Sequence, residues 1–588
     1  MKALDRKLLR DLVRMWSQAL TIALVVASGI GGFITSLSAV DSLALARDRF
    51  YASGRFADVF AQVKRAPHAL EHTLRALPGV ADVQTTTEHL VRVGLPEVVD
   101  PIVGRLIGVD RRVPQRMNRV FLRSGRDLSR DGLRAGGEIE ALLSEGFASA
   151  HGIRPGATLS ALVNGRQRTL RVVGIALSPE YIFAGLAGMP DQRSYGVFWV
   201  DHEVLSAAYD MDGAFNQVAV KLAPGASERD VAAHVSRVLA PYGAGEAHGR
   251  EHQVSHQMLD AEIKEQRVLG TVLPSIFLGV AAFLLHVVIS RMVSTQREQI
   301  AALKALGYPN GTIAAHYLKL VLVVVLAGLA LGVALGDTLG AGFTRLYAEF
   351  FHFPSFEHRI APWLAVTSIG ITVATAIAGT LNAIAATVRL APAEAMRPPA
   401  PGRYRRTLLE RLGVRRTGAA LQMVLRNMER KPLRTALSIG GVAASIAIVV
   451  MGNFIRDAID HIVHTQFNLA MRSDVIVWMT EVTRDTARHE LARLPGVLTV
   501  EPGRDVPVRF VHGHRSERGV IQGYAAQPQL RRIIDVEGRL AEPTADGLVL
   551  TDRLAAKLGL RVGELVRVEV LEGRRQTLDV RVDATVRE

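Results

Sequence analysis

Five stretches of this chain contain no Asp, Glu, Lys or Arg: Met15–Val40, Leu269–Ile289, Leu320–Gly336, Ala361–Val388 and Thr435–Ile455. A helix of about 20 apolar residues crosses roughly 30 Å of hydrocarbon. A single charge at mid-bilayer costs about 2.5–3.5 kcal/mol on insertion scales. In a chain where 21% of residues are charged, uncharged runs of this length read as membrane spans. The first run follows a basic segment (Lys2, Arg6, Lys7, Arg10, Arg14) and precedes a small-residue triplet at Ala44–Ala46, as a cleaved signal would. It is far longer than the usual signal core of about 7–15 residues, so it is read as a retained span.

Flanking charge sets the threading. The formal net charge is +14, and the basic residues crowd the N-terminus and the interval Arg389–Arg434. There Arg389, Arg397, Arg403, Arg405, Arg406, Arg411, Arg415, Arg416, Arg426, Arg430, Lys431 and Arg434 face only Glu394, Glu410 and Glu429. By the positive-inside rule both regions are cytoplasmic. The expected order is a cytoplasmic N-terminus and first span (1–41), an outer domain (42–268), a span (269–290) and an inner loop (291–317). A third span (318–342), a short outer loop (343–360) and a fourth span (361–388) follow. A basic cytoplasmic linker (389–434), a fifth span (435–456) and a second outer domain (457–588) complete it. Topology thus accounts for the basic excess, and no nucleic-acid partner is expected. With no cysteine, disulfides and thiolate metal sites are excluded.

The chain repeats itself. Arg75–Val83 (RALPGVADV) resembles Ala492–Val500 (ARLPGVLTV), Leu142–Leu159 resembles Val549–Val566, and Val163–Val172 resembles Leu571–Val580. Each set follows a basic amphipathic stretch and a span, so the order points to an internal duplication. Thr577–Glu588 corresponds to Thr169–Glu180, which is mid-domain in the first copy. The expectation is an eight-span protein of which about 200 further residues are missing from this sequence. The outer domains read as α/β. Val80–Val83 and Val91–Val93 are expected as strands around a turn, and Leu142–His151 as a helix stopped by Gly152. Leu159–Val163 and Thr169–Ile175 read as a hairpin turning at Asn164-Gly165, with Glu572-Gly573 in that place in the second copy. Ser227–Val268 reads as mostly helical.

The inner loop reads QREQIAALKALGY over Gln296–Tyr308, followed by Pro309-Asn310-Gly311. Ile300, Leu303 and Leu306 fall on one helical face, Arg297, Glu298 and Lys304 flank it, and Gly307 stops the helix. Such a helix either rests at the lipid interface or docks a soluble partner. In the third span Gly328, Gly332, Gly336 and Gly340 recur every four residues, the spacing that lets helices approach closely. His248, His252 and His256 would share a face if that stretch were helical, but no acidic or thiol ligand accompanies them, so no metal is expected.

The Gln296–Tyr308 segment resembles the signature of FtsX-like ABC permeases, the group that includes MacB-type proteins. LAPAEAMRP at Leu390–Pro398 and RNMERKPLRTALSIGGV at Arg426–Val442 are similar to further motifs of that family. The resemblance covers nearly the whole chain. It implies a helical transmembrane bundle carrying MacB-type periplasmic core-like outer domains, in the inner membrane of a bacterium. Arg297, Glu298, Ile300, Leu303, Lys304, Leu306, Gly307 and Tyr308 would then form the helix that couples to a separate cytoplasmic ABC ATPase, itself dimeric. No lysine here sits in a Gly-x-x-x-x-Gly-Lys-Ser/Thr phosphate loop, so ATP would act through that partner with no cofactor bound directly. A periplasmic adaptor and membrane lipid are the other partners implied. The implied role is export, or lipid or lipoprotein extraction, by transmission of motion. The alternative is a non-transporting transmitter of the FtsX kind that activates cell-wall hydrolases.

Overall fold

The structure is a computed structural model that describes residues 3–95, 98, 102–113, 115–129, 137–185, 191–388, 428, 432–479, 482–542 and 546–587. Of the basic linker (389–434) only 428 and 432–434 are described; the motif at 390–398 lies outside the described residues, as does the side chain of Arg297. Contacts divide the chain into a unit through Ile448 and a unit from Val449.

In the first unit a short helix α1 (Ala3–Arg14) leads into α2 (Trp16–Ser53). A folded head follows: β1 (Val59–Pro67), α3 (Leu70–Arg75), β2 (Val80–Thr86), β3 (Glu88–Gly94), β4 (Ile102–Val109), β5 (Phe121–Gly125), β6 (Ile139–Ser144), α4 (Glu145–His151), β7 (Thr158–Val163), β8 (Arg166–Leu177), β9 (Tyr195–Asp201), α5 (His202–Ala208), β10 (Ala214–Leu222), α6 (Glu228–Leu239) and β11 (His248–Gly249). The chain then enters α7 (Val254–Thr295), α8 (Arg297–Ala305), α9 (Asn310–Phe350) and α10 (Pro362–Val388).

All five uncharged stretches are helical apart from the first residues of two of them, Met15 and Ala361, and the fifth lies within Pro432–Val463. Among the described residues, α2 and α9 are long and apolar enough to cross a membrane. The helices overshoot what a bilayer needs. α2, α7 and α9 have 38, 42 and 41 residues, about 57–63 Å at 1.5 Å per residue, twice the roughly 30 Å of hydrocarbon. The surplus of α2 is buried, with Leu43 and Phe50 inside a cluster that also holds Leu259 and Ile263 of α7 and Phe351 and Phe353 after α9. The three helices therefore form a stalk that continues into the head.

The head has two parts. An antiparallel sheet in the order β11-β1-β10-β2 is covered by α3 and α6 through Leu74, Val231, Val235 and Leu239. Inserted between β2 and β10 is a closed ring of six strands, β8-β6-β9-β4-β3-β7 and back to β8, with β5 added on β8. The expected α/β mixture is present, but most pairings are antiparallel; among the described residues of the head only β4–β9 and β6–β8 are parallel.

Three local expectations are corrected. Leu142–Ser144 belongs to β6, and the helix begins only at Glu145. Every residue of Ile139–Ser144 is buried, and a short continuous apolar run does not distinguish a buried strand from a helix. Gly152 does end α4, in the left-handed conformation at φ 64°. Second, β2 and β3 are strands separated by Thr87, yet they belong to different sheets. Third, Glu572-Gly573 is not a two-residue turn. Val570 N donates to Gln576 O at 2.9 Å, and Leu571 N is drawn to Pro507 O at 2.9 Å on the neighbouring strand, so the loop is longer. The first-copy turn is as expected: Val163 pairs with Arg166, and Asn164 and Gly165 take φ of 44° and 73°, as a type I′ hairpin requires.

In the second unit the strands Arg504–His512, Arg515–Gly523, Gly547–Thr551, Leu565–Val570 and Thr577–Val586 form one open sheet. Four pairings match those of the head in partner and sense. Arg504–His512 pairs antiparallel with Arg515–Gly523 and with Leu565–Val570, as β3 does with β4 and β7. Leu565–Val570 pairs antiparallel with Thr577–Val586, as β7 does with β8. Gly547–Thr551 pairs parallel with Thr577–Val586, as β6 does with β8.

Candidate functional site

The first unit holds three features that line up along the stalk. The first is α8. A helix of nine residues is too short to stand alone in water, so it must be seated. Ile300 is fully buried among Leu8, Ile313, Tyr317, Leu320 and Val325, with Leu303 and Tyr308 packed on the same cluster. Gln296, which precedes α8, accepts a hydrogen bond from Tyr317 Oη at 2.7 Å. Gly307, at φ 87°, turns the chain so that Tyr308 N reaches Leu303 O at 3.1 Å. The expected single apolar face is thus divided. Ile300 and Leu303 hold α8 against α1 and α9, whereas Leu306 is 76% exposed. Glu298 and Gly307 are also exposed, and Lys304 is half-buried. The division was hidden in the sequence because the seating partners lie on other helices.

The second feature is the contact of α2 with α9. Gly328, Gly332, Gly336 and Gly340 are all buried, and each leaves no room for a side chain. A Cβ on Gly328 would stand 2.8 Å from Ala23 O, on Gly332 2.9 Å from Ile30 Cβ, and on Gly336 2.7 Å from Ile34 Cβ. On Gly340 it would stand 2.7 Å from Ser38 Oγ. The stripe lets two long helices run backbone to backbone, which suits them to move as one body.

The third feature is the root of the head, where three elements converge on the segments 117–123 and 178–183. From the segment just after α2, Gly54 O accepts from Arg119 N at 2.9 Å and Ala57 N donates to Asn118 Oδ1 at 2.9 Å. From the start of α7, Ser255 Oγ accepts from Phe183 N at 3.0 Å, while Gln253, just before that helix, donates to Glu180 O at 2.8 Å. From the loop after α9, Phe353 O and Pro354 O accept from Arg123 at 2.6 and 2.9 Å. Arg123 is held in turn by the Glu145 carboxylate at 2.9 and 3.2 Å. Asn118, Arg123 and Glu180 were not singled out from sequence, since each is an isolated polar residue outside any periodic pattern.

Behind this joint lies a polar network. Asn118 Nδ2 donates to Glu180 Oε2 at 2.8 Å, Tyr181 Oη donates to Glu88 at 3.1 Å, and Arg105 donates to Glu88 at 2.8 Å and to Tyr195 Oη at 2.6 Å. Burial, reinforced by the negative charge of Glu88, pushes the Glu180 carboxyl up from 4.5 to about 8. A carboxyl whose folded pKa is raised favours the fold fully below its unfolded pKa and loses that contribution as pH rises through the folded pKa. Glu180→Gln is therefore expected to match wild type in stability below about pH 4.5 and to exceed it at pH 8 and above, by on the order of a few kcal/mol. Thermal unfolding of the full chain across pH 4 to 9 reads the difference.

The three histidines raised as a metal face do not share a helix. His248 lies in β11 stacked on Phe60, His252 in a 3₁₀ turn, and His256 in α7 beside Tyr51 Oη at 3.0 Å.

Comparison with known families gives two matches. Residues 19–238 match the MacB-like periplasmic core domain, and residues 271–392 match the FtsX-like permease C-terminal family. No curated protein matches the chain. Among solved structures, the extracellular domain of the noncanonic ABC-type transporter YknZ from Gram-positive bacteria is 13% identical with a TM-score of 0.23, covering 33% of this chain and 98% of that one. The periplasmic region of MacB from Actinobacillus actinomycetemcomitans is 12% identical with a TM-score of 0.23, covering 35% and 92%.

Proposed function

Because the chain joins both modules of the FtsX/MacB type of ABC permease, we propose that it is a permease subunit that carries the motion of a separate cytoplasmic ATPase across a bacterial inner membrane. The observation that carries this reading is the shared use of α9. One end of it seats α8, and the other runs into the cluster that roots the head. A displacement imposed on α8 would shift α9, and the glycine contact would take α2 with it. Both helices end at the joint around Asn118, Arg123 and Glu180. ATP acts only through the partner. The output is export, or extraction of a lipid or lipoprotein, with the head as the moving part outside. The four matching strand pairings support reading the second unit as a further copy of the head, introduced by the helix Pro432–Val463.

The reading requires α8 and the head to lie on opposite sides of the membrane. The chain has no cysteine, so single cysteines report cleanly. In intact spheroplasts Asp212→Cys, on an exposed turn of the head, is expected to react with a membrane-impermeant maleimide. Gln299→Cys, on the exposed side of α8, is expected to react only after permeabilisation. Equal labelling of both in intact cells would refute the arrangement.

A further inference from the structure

The amphipathic helix α1 has three faces, and among the described residues only one of them is used. Leu8 is buried in the α8–α9 cluster and Leu12 packs on it. The two acidic residues turn to the same side. Asp11 meets Lys7 and lies 3.9 Å from His316, and Asp5 lies 4.0 Å from Lys319. The second face is apolar and open, with Leu9 52% and Val13 74% exposed, continued by Trp16 at 65% in α2. The third is cationic: Arg6, Arg10 and Arg14 recur every four residues, and all three are exposed. Among the described residues no carboxylate pairs with any of them.

We propose that α1 is a docking surface for anionic phospholipid. Leu9, Val13 and Trp16 enter the acyl region, and Arg6, Arg10 and Arg14 hold phosphate-bearing headgroups. The position follows from covalent continuity: α1 joins the span α2 at Met15, which places it at the bilayer surface. An exposed apolar stripe beside a cationic ridge is the pattern of an interfacial helix, and planar guanidinium groups suit phosphate oxygens. Internal pairing of Asp5 and Asp11 removes the local carboxylates that would otherwise compete. The inference rests on α2 crossing the membrane and is independent of any ATPase. Because Leu8 also seats Ile300, bound lipid would brace the same cluster that holds α8.

The test is native mass spectrometry of the full chain, released from detergent after equilibration with equimolar phosphatidylglycerol and phosphatidylcholine. Each arginine near an anionic surface is worth about fivefold, and salt reduces this. Wild type is expected to retain phosphatidylglycerol preferentially. The variant R6Q/R10Q/R14Q is expected to lower the retained ratio by on the order of tenfold or more, and R6K/R10K/R14K to keep most of it. An unchanged ratio in the glutamine variant, or a wild-type ratio near one, overturns the proposal. So does a glutamine variant that keeps its lipid preference but loses a cytoplasmic protein partner, since the ridge would then be a protein contact. Chain that remains membrane-extracted with α8 labelled as above, yet shows no lipid preference, would reject this inference alone.

Discussion

Gly336→Ala is expected to destabilise the full chain by about 1–3 kcal/mol, the usual cost of overpacking, although alanine is the better helix former by up to about 1 kcal/mol. The reason is geometric. The added methyl would stand 2.7 Å from both Cβ and Cγ2 of Ile34 and 3.3 Å from Gly31 O, and Ile34 is itself fully buried. Hydrocarbon surroundings supply no hydrophobic force to re-close a separated helix pair, so close van der Waals fit carries the contact. Gly336→Leu should go further and part α2 from α9. Gly342 on the same helix has nothing within 4 Å of a would-be Cβ, so Gly342→Ala should be neutral or slightly stabilising. Part of the clash has a specific remedy. Ile34→Ala alone leaves a cavity and costs about 2–5 kcal/mol; it removes Cγ2, one of the two clashing atoms, while Cβ stays, so combined with Gly336→Ala the total should fall short of the sum by about 0.5–3 kcal/mol. Thermal midpoints of the four proteins in detergent decide the matter. Strict additivity would mean that the two helices do not meet at this point.

The sequence revealed most about the parts of this molecule that are set locally. Uncharged runs gave away all five helices, because a long apolar helix needs no distant partner to be recognised. Asn164-Gly165 gave away its hairpin, because two positive φ angles are a property of those two residues. Leu142–Ser144 failed for the complementary reason: a run of six buried residues is a strand only because β8 and β9 flank it. Closure of the ring through β7 and β8, and the insertion of that ring between β2 and β10, depend on pairings between distant segments that leave no period in the sequence.

The candidate site divides in the same way. The glycine stripe was visible from its spacing, and α8 from its apolar periodicity and its Gly307 stop. What periodicity could not say is that Ile300 is consumed in seating the helix, leaving Leu306 outward. Nor could it find Asn118, Arg123 and Glu180, which matter through what they touch: the end of α2, the loop after α9 and the start of α7.

The division of α8 also decides which variant is informative. An acidic residue at position 300 would break the cluster shared by α1, α8 and α9, and any loss of function would report unfolding. Leu306 has no such role: it lies past the end of α8, with its side chain in solvent. If the ATPase grips this helix, Leu306 is its most prominent apolar anchor. Placing a carboxylate there should cost at least about 2 kcal/mol of binding, on the order of 30-fold in affinity, with no change in the thermal midpoint of the chain. The direct measurement is the dissociation constant between the full chain in lipid nanodiscs and its ATP-binding subunit, for wild type and for Leu306→Asp. A loss of about 30-fold or more with stability intact is the result the coupling account predicts. Unchanged affinity in a correctly folded Leu306→Asp protein would contradict it.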